Sequence, residues 1–174
     1  MEKHVNRNRS FDKLSYTIHD KKARKVMVDY LTKNDYINIV NKENYNFDIY
    51  ARYMLKDFSS TKLFSEHFFE VEVKTQWGDN WNPAWKEIRI PERKQRLINI
   101  WKEKYPDHIF KFVVFNGDLK QAWFIDADVV DKSSVGTIQN SRFTKSPHLK
   151  EPFFHIPVED ANLVQIRIET TEKQ

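Results

Sequence analysis

Alternating apolar and polar residues mark the segment 68–74, whose sequence is FFEVEVK. Side chains on a β-strand point to opposite faces in turn, so this pattern predicts a strand with one buried face of phenylalanine and valine. Two carboxylates and an ammonium share its other face: Glu70, Glu72 and Lys74. That face is either a solvated surface whose charges neutralise one another or a row of functional groups facing water or a metal.

The same reasoning assigns the rest of the chain to short elements. Helical spacing of apolar residues predicts a helix over 20–33, with Asp20 as its N-cap and a loosely held arm before it. Pro91 opens a second predicted helix, over 92–104. Alternation and apolar runs predict further strands at 36–40, 46–53, 86–90, 109–115 and 119–125. An Asn-Gly pair at 116–117 predicts a tight turn between the last two.

Composition limits the possible classes of protein. A chain of 174 residues, 40% hydrophobic and 14% aromatic, can bury one core, so we predict a single domain over 1–174. Its core spans about 20–126, and a proline-containing extension over 133–174 wraps that core. The absence of cysteine excludes disulfides and thiolate metal sites. Without a signal peptide or an apolar run of membrane-spanning length, a cytoplasmic protein with no membrane partner is expected.

A second acid lies on a neighbouring predicted strand. In the segment 46–53 the alternation places Phe47 and Ile49 on the apolar face and Asp48 on the polar face. An antiparallel pairing with 68–74 brings Asp48 towards Glu72. Oxygen ligands from two such carboxylates suit a hard divalent cation, above all Mg²⁺. Glu70 lies one pair further along and is either an aid to a second metal or, as we expect, a hydrated surface acid.

An acid on one strand followed by Glu72-Val73-Lys74 on the next resembles the PD-(D/E)xK nuclease superfamily, and the resemblance covers about residues 20–126. It implies an α/β, restriction-endonuclease-like fold, in which α-helices flank a central mixed β-sheet. It also implies a deoxyribonuclease that uses Mg²⁺, with Mn²⁺ as a substitute. Asp48, Glu72 and the backbone carbonyl of Val73 would then hold the metal, and Lys74 and Gln76, on one strand face, would act on the water and the phosphate. We expect the neighbouring carboxylates to favour the charged form of Lys74.

The expected partner is DNA. A net charge of +4 permits contact with phosphates, and five basic residues lie just after the candidate site: Lys86, Arg89, Arg93, Lys94 and Arg96. Trp77 and Trp81, in a loop with a third tryptophan at Trp85, either stack on bases or cover the end of the core. Asp126, Asp128 and Asp131 are interpreted as turn and cap residues.

Two other functions are compatible with the sequence. One is a protein that binds nucleic acid on the same fold without cutting it. The other is a structural or assembly protein whose charged strand is only a surface. The form of DNA, the choice between endonuclease and exonuclease, and the formation of a homodimer stay open.

Overall fold

The computed structural model describes residues 7–42, 46–55, 64–138 and 151–167, with the side chains of the first helix described from Ile18 onward. Three helices are present among these residues: α1 (Arg7–Lys33), α2 (Gln95–Lys104) and α3 (Ala127–Lys132). The strands are β1 (Tyr36–Val40), β2 (Ile49–Met54), β3 (Phe64–Lys74), β4 (Glu87–Pro91), β5 (Ile109–Asn116), β6 (Gln121–Asp126), β7 (Ser134–Ile138), β8 (Glu151–Pro157) and β9 (Asn162–Gln165). Short 3₁₀ turns cover Glu92–Lys94 and Val158–Asp160. No helix in these ranges has the length and apolar character needed to cross a membrane.

The strands form two sheets. A six-stranded sheet has the order β1-β2-β3-β5-β6-β9, and a three-stranded sheet has the order β4-β8-β7. Strand β3 runs parallel to β5, whereas the other neighbouring strands are antiparallel. Parallel neighbours need a crossover, and here the crossover contains β4 and α2. The protein is therefore an α/β protein built on a mixed sheet.

Each face of the six-stranded sheet covers its own core. Helix α1 packs Ala23, Met27 and Leu31 on one face, against alternate residues of β2, β3 and β5. The other face packs against α2, α3 and the three-stranded sheet, with Trp101 of α2 at the boundary of this core. Because successive strand residues point to opposite faces, Phe69 belongs to the α1 side and Phe68 to the α2 side. Glu70 and Glu72 share the α2 side with Phe68.

The structure confirms most predicted elements. The strands at 36–40 and 68–74, the helix over 92–104 and the hairpin over 109–125 all form, with ends shifted by a few residues. The turn after Asn116 differs from a tight Asn-Gly turn, since Leu119 carries the positive φ of 64°. Gly117 contacts the tryptophan loop instead, where its N–H donates to the carbonyl of Trp77.

Two predictions about the ends of the chain are wrong. Helix α1 begins at Arg7, so the loosely held arm is in part helical, and Asp20 lies inside the helix rather than at an N-cap. There Asp20 pairs with Arg24, one turn later, at 3.3 Å. The extension over 133–174 does more than wrap the core. Strand β8 is the central strand of the second sheet, and β9 forms an edge of the first.

Candidate functional site

One edge of β3 loses its partner strand near the end of the hairpin. The last pair between β2 and β3 is Ile49 with Phe69, so the edge of β3 beyond Phe69 is not paired with β2. Asp48, immediately before β2, replaces the missing strand partner at this point. Its Oδ2 accepts a hydrogen bond from the backbone N–H of Val71 at 2.8 Å. Asp48 is thereby fixed beside the strand that carries Glu70 and Glu72.

The backbone before β2 is irregular, and this decides where Asp48 lies. Asn46 has a φ of 67°, a left-handed conformation that breaks the strand alternation. As a result Phe47 packs into the core on the α2 side and stacks on Phe68, with the ring centroids 4.3 Å apart. The prediction that Phe47 shares a face with Ile49 is therefore wrong, since Ile49 packs on the α1 side.

Lys94 completes the site from the start of the crossover helix. Its Nζ donates to Oε1 of Glu70 and lies 3.4 Å from Oε1 of Glu72. The chain positions Lys94 here because the turn Glu92–Lys94 leads from β4 into α2, which covers this face of the sheet. We call Asp48, Glu70 and Glu72 the carboxylate cluster.

Arg24 approaches the carboxylate cluster from α1. Its Nη1 lies 3.7 Å from Oδ1 of Asp48, while its Nη2 pairs with Asp20. Counting these groups, four carboxylates face the two cations Arg24 and Lys94, so the formal charge of the neighbourhood is about −2 with all groups ionised. The site therefore carries an excess of negative charge in a position shielded from water.

Burial changes the acidity of the cluster. Asp48 is 9% exposed, and burial raises its pKa to about 6 despite the hydrogen bond from Val71. Glu70 is 6% exposed, and burial raises its pKa to about 7, with the charges of Asp48 and Glu72 adding to the rise and that of Lys94 opposing it. Burial therefore makes both carboxylates harder to ionise near neutral pH. A bound cation would favour their ionised forms.

The donor set fits a hard divalent cation. Oε1 of Glu72 is buried and has no hydrogen-bond partner in the described part of the chain, although Lys94 is nearby. Buried anionic oxygens with an excess of negative charge are what Mg²⁺ or Mn²⁺ binds. The described residues contain no ready group of three Asp, Glu or His side chains around one point.

The predicted backbone ligand lies at the same edge. Strand β3 pairs with β5 through this region, with Val73 opposite Phe115. Backbone groups two residues apart on a strand point to the same edge, and the N–H of Val71 points towards Asp48. The carbonyl of Val73 is accordingly directed to the side on which Asp48 lies, away from β5.

Lys74 does not join the carboxylate cluster. Its Nζ lies over two indole rings, 5.5 Å from the ring centroid of Trp81 and 5.1 Å from that of Trp85. Burial, and then the charge of Arg89, lowers its pKa. The prediction that neighbouring carboxylates favour the charged form of Lys74 is therefore wrong, since the ammonium next to Glu70 and Glu72 belongs to Lys94.

Residues after Lys74 also depart from the sequence prediction. Gln76 is exposed in the turn that follows β3, so strand alternation no longer places it on the face of Lys74. Trp77 is 0% exposed and packs in the core, which excludes it as a stacking platform in this conformation. Trp81 is partly buried and packs edge-on against Trp77, and its Nε1 donates to the carbonyl of Trp85. The tryptophan loop after β3 therefore packs its rings against the core.

The basic residues after the loop separate into two groups. Lys86, Arg89, Arg93 and Arg96 are exposed, whereas Lys94 is held among the acids. Arg89 also donates to Glu87 at 3.0 Å. The assignment of Lys94 as one more contact to the DNA backbone is thus replaced by a role inside the site. The other four stay candidates for phosphate contact.

The acids after β6 are engaged elsewhere. Asp131 contacts Lys102 and accepts from Nε2 of Gln95 at 3.1 Å, while Asp126 pairs with Lys111. Asp126 is at the N-cap position of α3 but its side chain makes no capping hydrogen bond, and Asp128 and Asp131 lie inside that helix, so the interpretation of all three as turn and cap residues is only partly correct. The hydrogen bonds of the Gln95 amide direct it towards Asp131 and Asn99.

Sequence reasoning missed three members of the site. Glu70 was expected to be a hydrated surface acid, yet the start of α2 covers it. Arg24 lies in a run of basic residues on α1, and Lys94 lies in another run at the start of α2. Neither residue differs in type from its basic neighbours in the sequence. The sequence contains one usable signal for the site. Glu70 and Glu72 share a strand face, and two like charges so close together indicate that a counter-ion lies nearby.

Comparisons with protein-family models, with curated proteins and with solved structures gave no match to this chain.

Proposed function

We propose that this chain is a metal-dependent nuclease that hydrolyses DNA phosphodiester bonds, with Asp48, Glu70, Glu72 and Lys94 at its active site. The observation that carries the proposal is that acids of β3 and of the residue just before β2 meet a lysine from the turn that opens α2, at the open edge of β3. Metal-dependent phosphoryl chemistry uses acids and a lysine that lie in contact. Separate surface charges would not provide this arrangement.

The fold proposed with this function is restriction-endonuclease-like. Three features support it: the acids lie on a β2–β3 hairpin, a helix-containing crossover follows, and β3 and β5 are parallel in a mixed sheet. The crossover helix α2 begins directly beside the acids, as such a site requires. In this proposal the ammonium group of the site comes from Lys94, in the turn that leads into α2, and not from Lys74 on β3.

Asp48 and Glu72 are the proposed ligands of a Mg²⁺ ion, with Glu70 within reach of the same region. When bound, the ion would polarise a phosphate oxygen and lower the pKa of a water molecule. Asp48 stays oriented by its hydrogen bond with Val71, so one ligand is preorganised before substrate arrives. Lys94 lies next to the acids and is positioned to balance negative charge that develops on the phosphate.

The first turns of α2 would position the DNA backbone. Arg93, in the turn Glu92–Lys94 that precedes α2, and Arg96, in the first turn of α2, are exposed and lie close in sequence to Lys94. A helix N-terminus and nearby guanidinium groups both attract phosphate. Binding at this end of α2 would bring a phosphodiester towards the carboxylate cluster, so the basic residues contribute affinity and the acids contribute chemistry.

A second candidate function is binding of nucleic acid without cutting. It is favoured by one observation, namely that Lys94 already pairs with Glu70 and lies 3.4 Å from Oε1 of Glu72. In that case the carboxylate cluster is an internal ion-pair network and the exposed arginines alone contact phosphate.

A cleavage assay separates the two functions. Purified protein is incubated with supercoiled, linear and single-stranded DNA, with Mg²⁺ or with a chelator. The nuclease proposal predicts cutting that needs the metal, and product lengths then distinguish an endonuclease from an exonuclease. Salt-sensitive binding with no cutting under any of these conditions selects the second function.

A further inference from the structure

The ammonium of Lys94 lies where a bound cation would interact with the carboxylate cluster. Its Nζ contacts Oε1 of Glu70 and is 3.4 Å from Oε1 of Glu72. The side chain of Lys94 is 13% exposed, so this charge is largely removed from water. A lysine ammonium is a compact point charge, which suits it to occupy the place of a small cation.

The contacts of Lys94 conflict with simultaneous metal binding. Oε1 of Glu70 and Oε1 of Glu72 are among the oxygens that a divalent cation would use, and both face the same ammonium. Like charges at such short distances repel strongly where water is excluded. With the ammonium withdrawn, however, the buried carboxylate of Glu70 and the largely buried one of Glu72 would be left without compensation, which is costly in a folded protein.

We propose that Lys94 is an internal counter-ion of the carboxylate cluster and that a divalent cation competes with it for Glu70 and Glu72. The inference rests on the proposed function for the identity of the site as a metal centre. Lys94 keeps the acids in place in the metal-free protein and moves away from at least one of them as the metal binds. Its long side chain then turns towards the position of the phosphate, so metal loading and substrate contact are coupled.

The test is metal affinity rather than cleavage. Mn²⁺ and Mg²⁺ binding to wild type and to Lys94→Met is measured by calorimetry at about pH 8. Removing the competing ammonium is expected to tighten binding by about tenfold or more. Arg96→Met, which removes an exposed charge from the same helix, is the matched control and is expected to change affinity much less. Unchanged or weaker binding by Lys94→Met overturns the proposal.

A second measurement uses the wild-type protein, in case Lys94→Met does not fold without metal. Nitrogen-15 NMR of the lysine ammonium groups should show, in chelator, a Lys94 signal protected from solvent exchange by its carboxylate contacts. Adding Mg²⁺ should remove that protection. A signal that stays protected at saturating Mg²⁺ overturns the proposal.

The two ideas can fail separately. If wild type cuts DNA with Mg²⁺ while Lys94→Met gains no metal affinity, the counter-ion role is wrong and the nuclease stands. If Lys94→Met gains affinity while no DNA substrate is cut, the counter-ion role stands and the nuclease is wrong.

Discussion

Asp48 and Val71 are 23 positions apart in the chain, yet Oδ2 of Asp48 accepts the backbone N–H of Val71 at 2.8 Å. This hydrogen bond is made where β2 has ended and the edge of β3 has lost its backbone partner. A side chain therefore replaces a missing strand contact and is itself held in position. The same contact serves the stability of the sheet and the orientation of a proposed metal ligand.

Replacing Asp48 should separate these two roles. Asp48→Asn keeps an oxygen that can accept from Val71, so the fold is expected to lose little stability. Asp48→Ala leaves that N–H without its partner and should cost about 1–3 kcal/mol in the free energy of unfolding. Urea denaturation of both variants in chelator measures the difference. Equal stability of the two would show that the hydrogen bond contributes nothing.

Lys74→Met is expected to be mild. The methionine keeps most of the side chain between Trp81 and Trp85 but removes the charge, so stability should fall by about 0.5–2 kcal/mol. Because Lys74 contacts the tryptophans and not the acids, the variant should keep most of its rate of DNA cutting, whereas Lys94→Met should lose most of it. Single-turnover cleavage of the two folded variants checks this contrast. The opposite order of rates would restore Lys74 as the catalytic lysine.

Exposed arginines at the start of α2 and in the turn before it should set the salt dependence of DNA binding. Changing Arg93 and Arg96 together to alanine is expected to lower the slope of log affinity against log salt by about two, roughly one for each lost phosphate contact. Lys104→Ala, at the other end of α2, serves as the control and should leave the slope near that of wild type. Fluorescence anisotropy at several salt concentrations gives the slopes. An equal effect of the control would place the DNA elsewhere.

The metal-free protein should become less stable as pH rises through the pKa of Glu70. This pKa is about 7 in the folded protein against an ordinary value of 4.5, so the folded state binds more protons than the unfolded chain between these values. The stability that proton binding at Glu70 contributes is complete below about pH 4.5 and is lost above about pH 7. Relative to Glu70→Gln, wild type should lose about 1–3 kcal/mol between about pH 5 and pH 8 in chelator. Parallel pH profiles of urea denaturation for the two proteins would contradict the raised pKa.

Periodicity predicted the elements that carry the site but not their contacts. The alternation in 68–74 was sufficient to place Glu70 and Glu72 on one face of β3, and that placement is correct. It could not reveal that α2 covers this face, because burial of a polar face depends on tertiary packing. Strand alternation alone therefore predicts a hydrated acid at Glu70, and the sequence around Lys94 shows only one basic residue among several.

The remaining differences have local and long-range causes. Residues before Asp20 lack the apolar spacing of the second half of α1, so sequence gave no reason to extend the helix to Arg7. Asn46, with its positive φ, reverses the expected face of Phe47, and no alternation rule anticipates such a break. Strand β8 pairs with β4 across more than 60 positions, from Ile88 to Ile156 for example, and local patterns contain no information on such pairing.

The carboxylate cluster is tested most directly by cleavage with single carboxamide variants. Asp48→Asn, Glu70→Gln and Glu72→Gln keep the shape of each side chain and remove its charge. Asp126→Asn removes a carboxylate that pairs with Lys111 away from the cluster and serves as the control. Each protein is first shown to be folded, and activity is shown to co-elute with the protein so that contaminating nuclease is excluded.

The decisive measurement is the rate of DNA cutting at saturating Mg²⁺ for these four variants and wild type. We predict that each of the three variants in the carboxylate cluster cuts at least about 100-fold more slowly than wild type, while Asp126→Asn stays close to it. Folded cluster variants that cut at the wild-type rate, or a wild-type protein that cuts no form of DNA with Mg²⁺, would contradict the account.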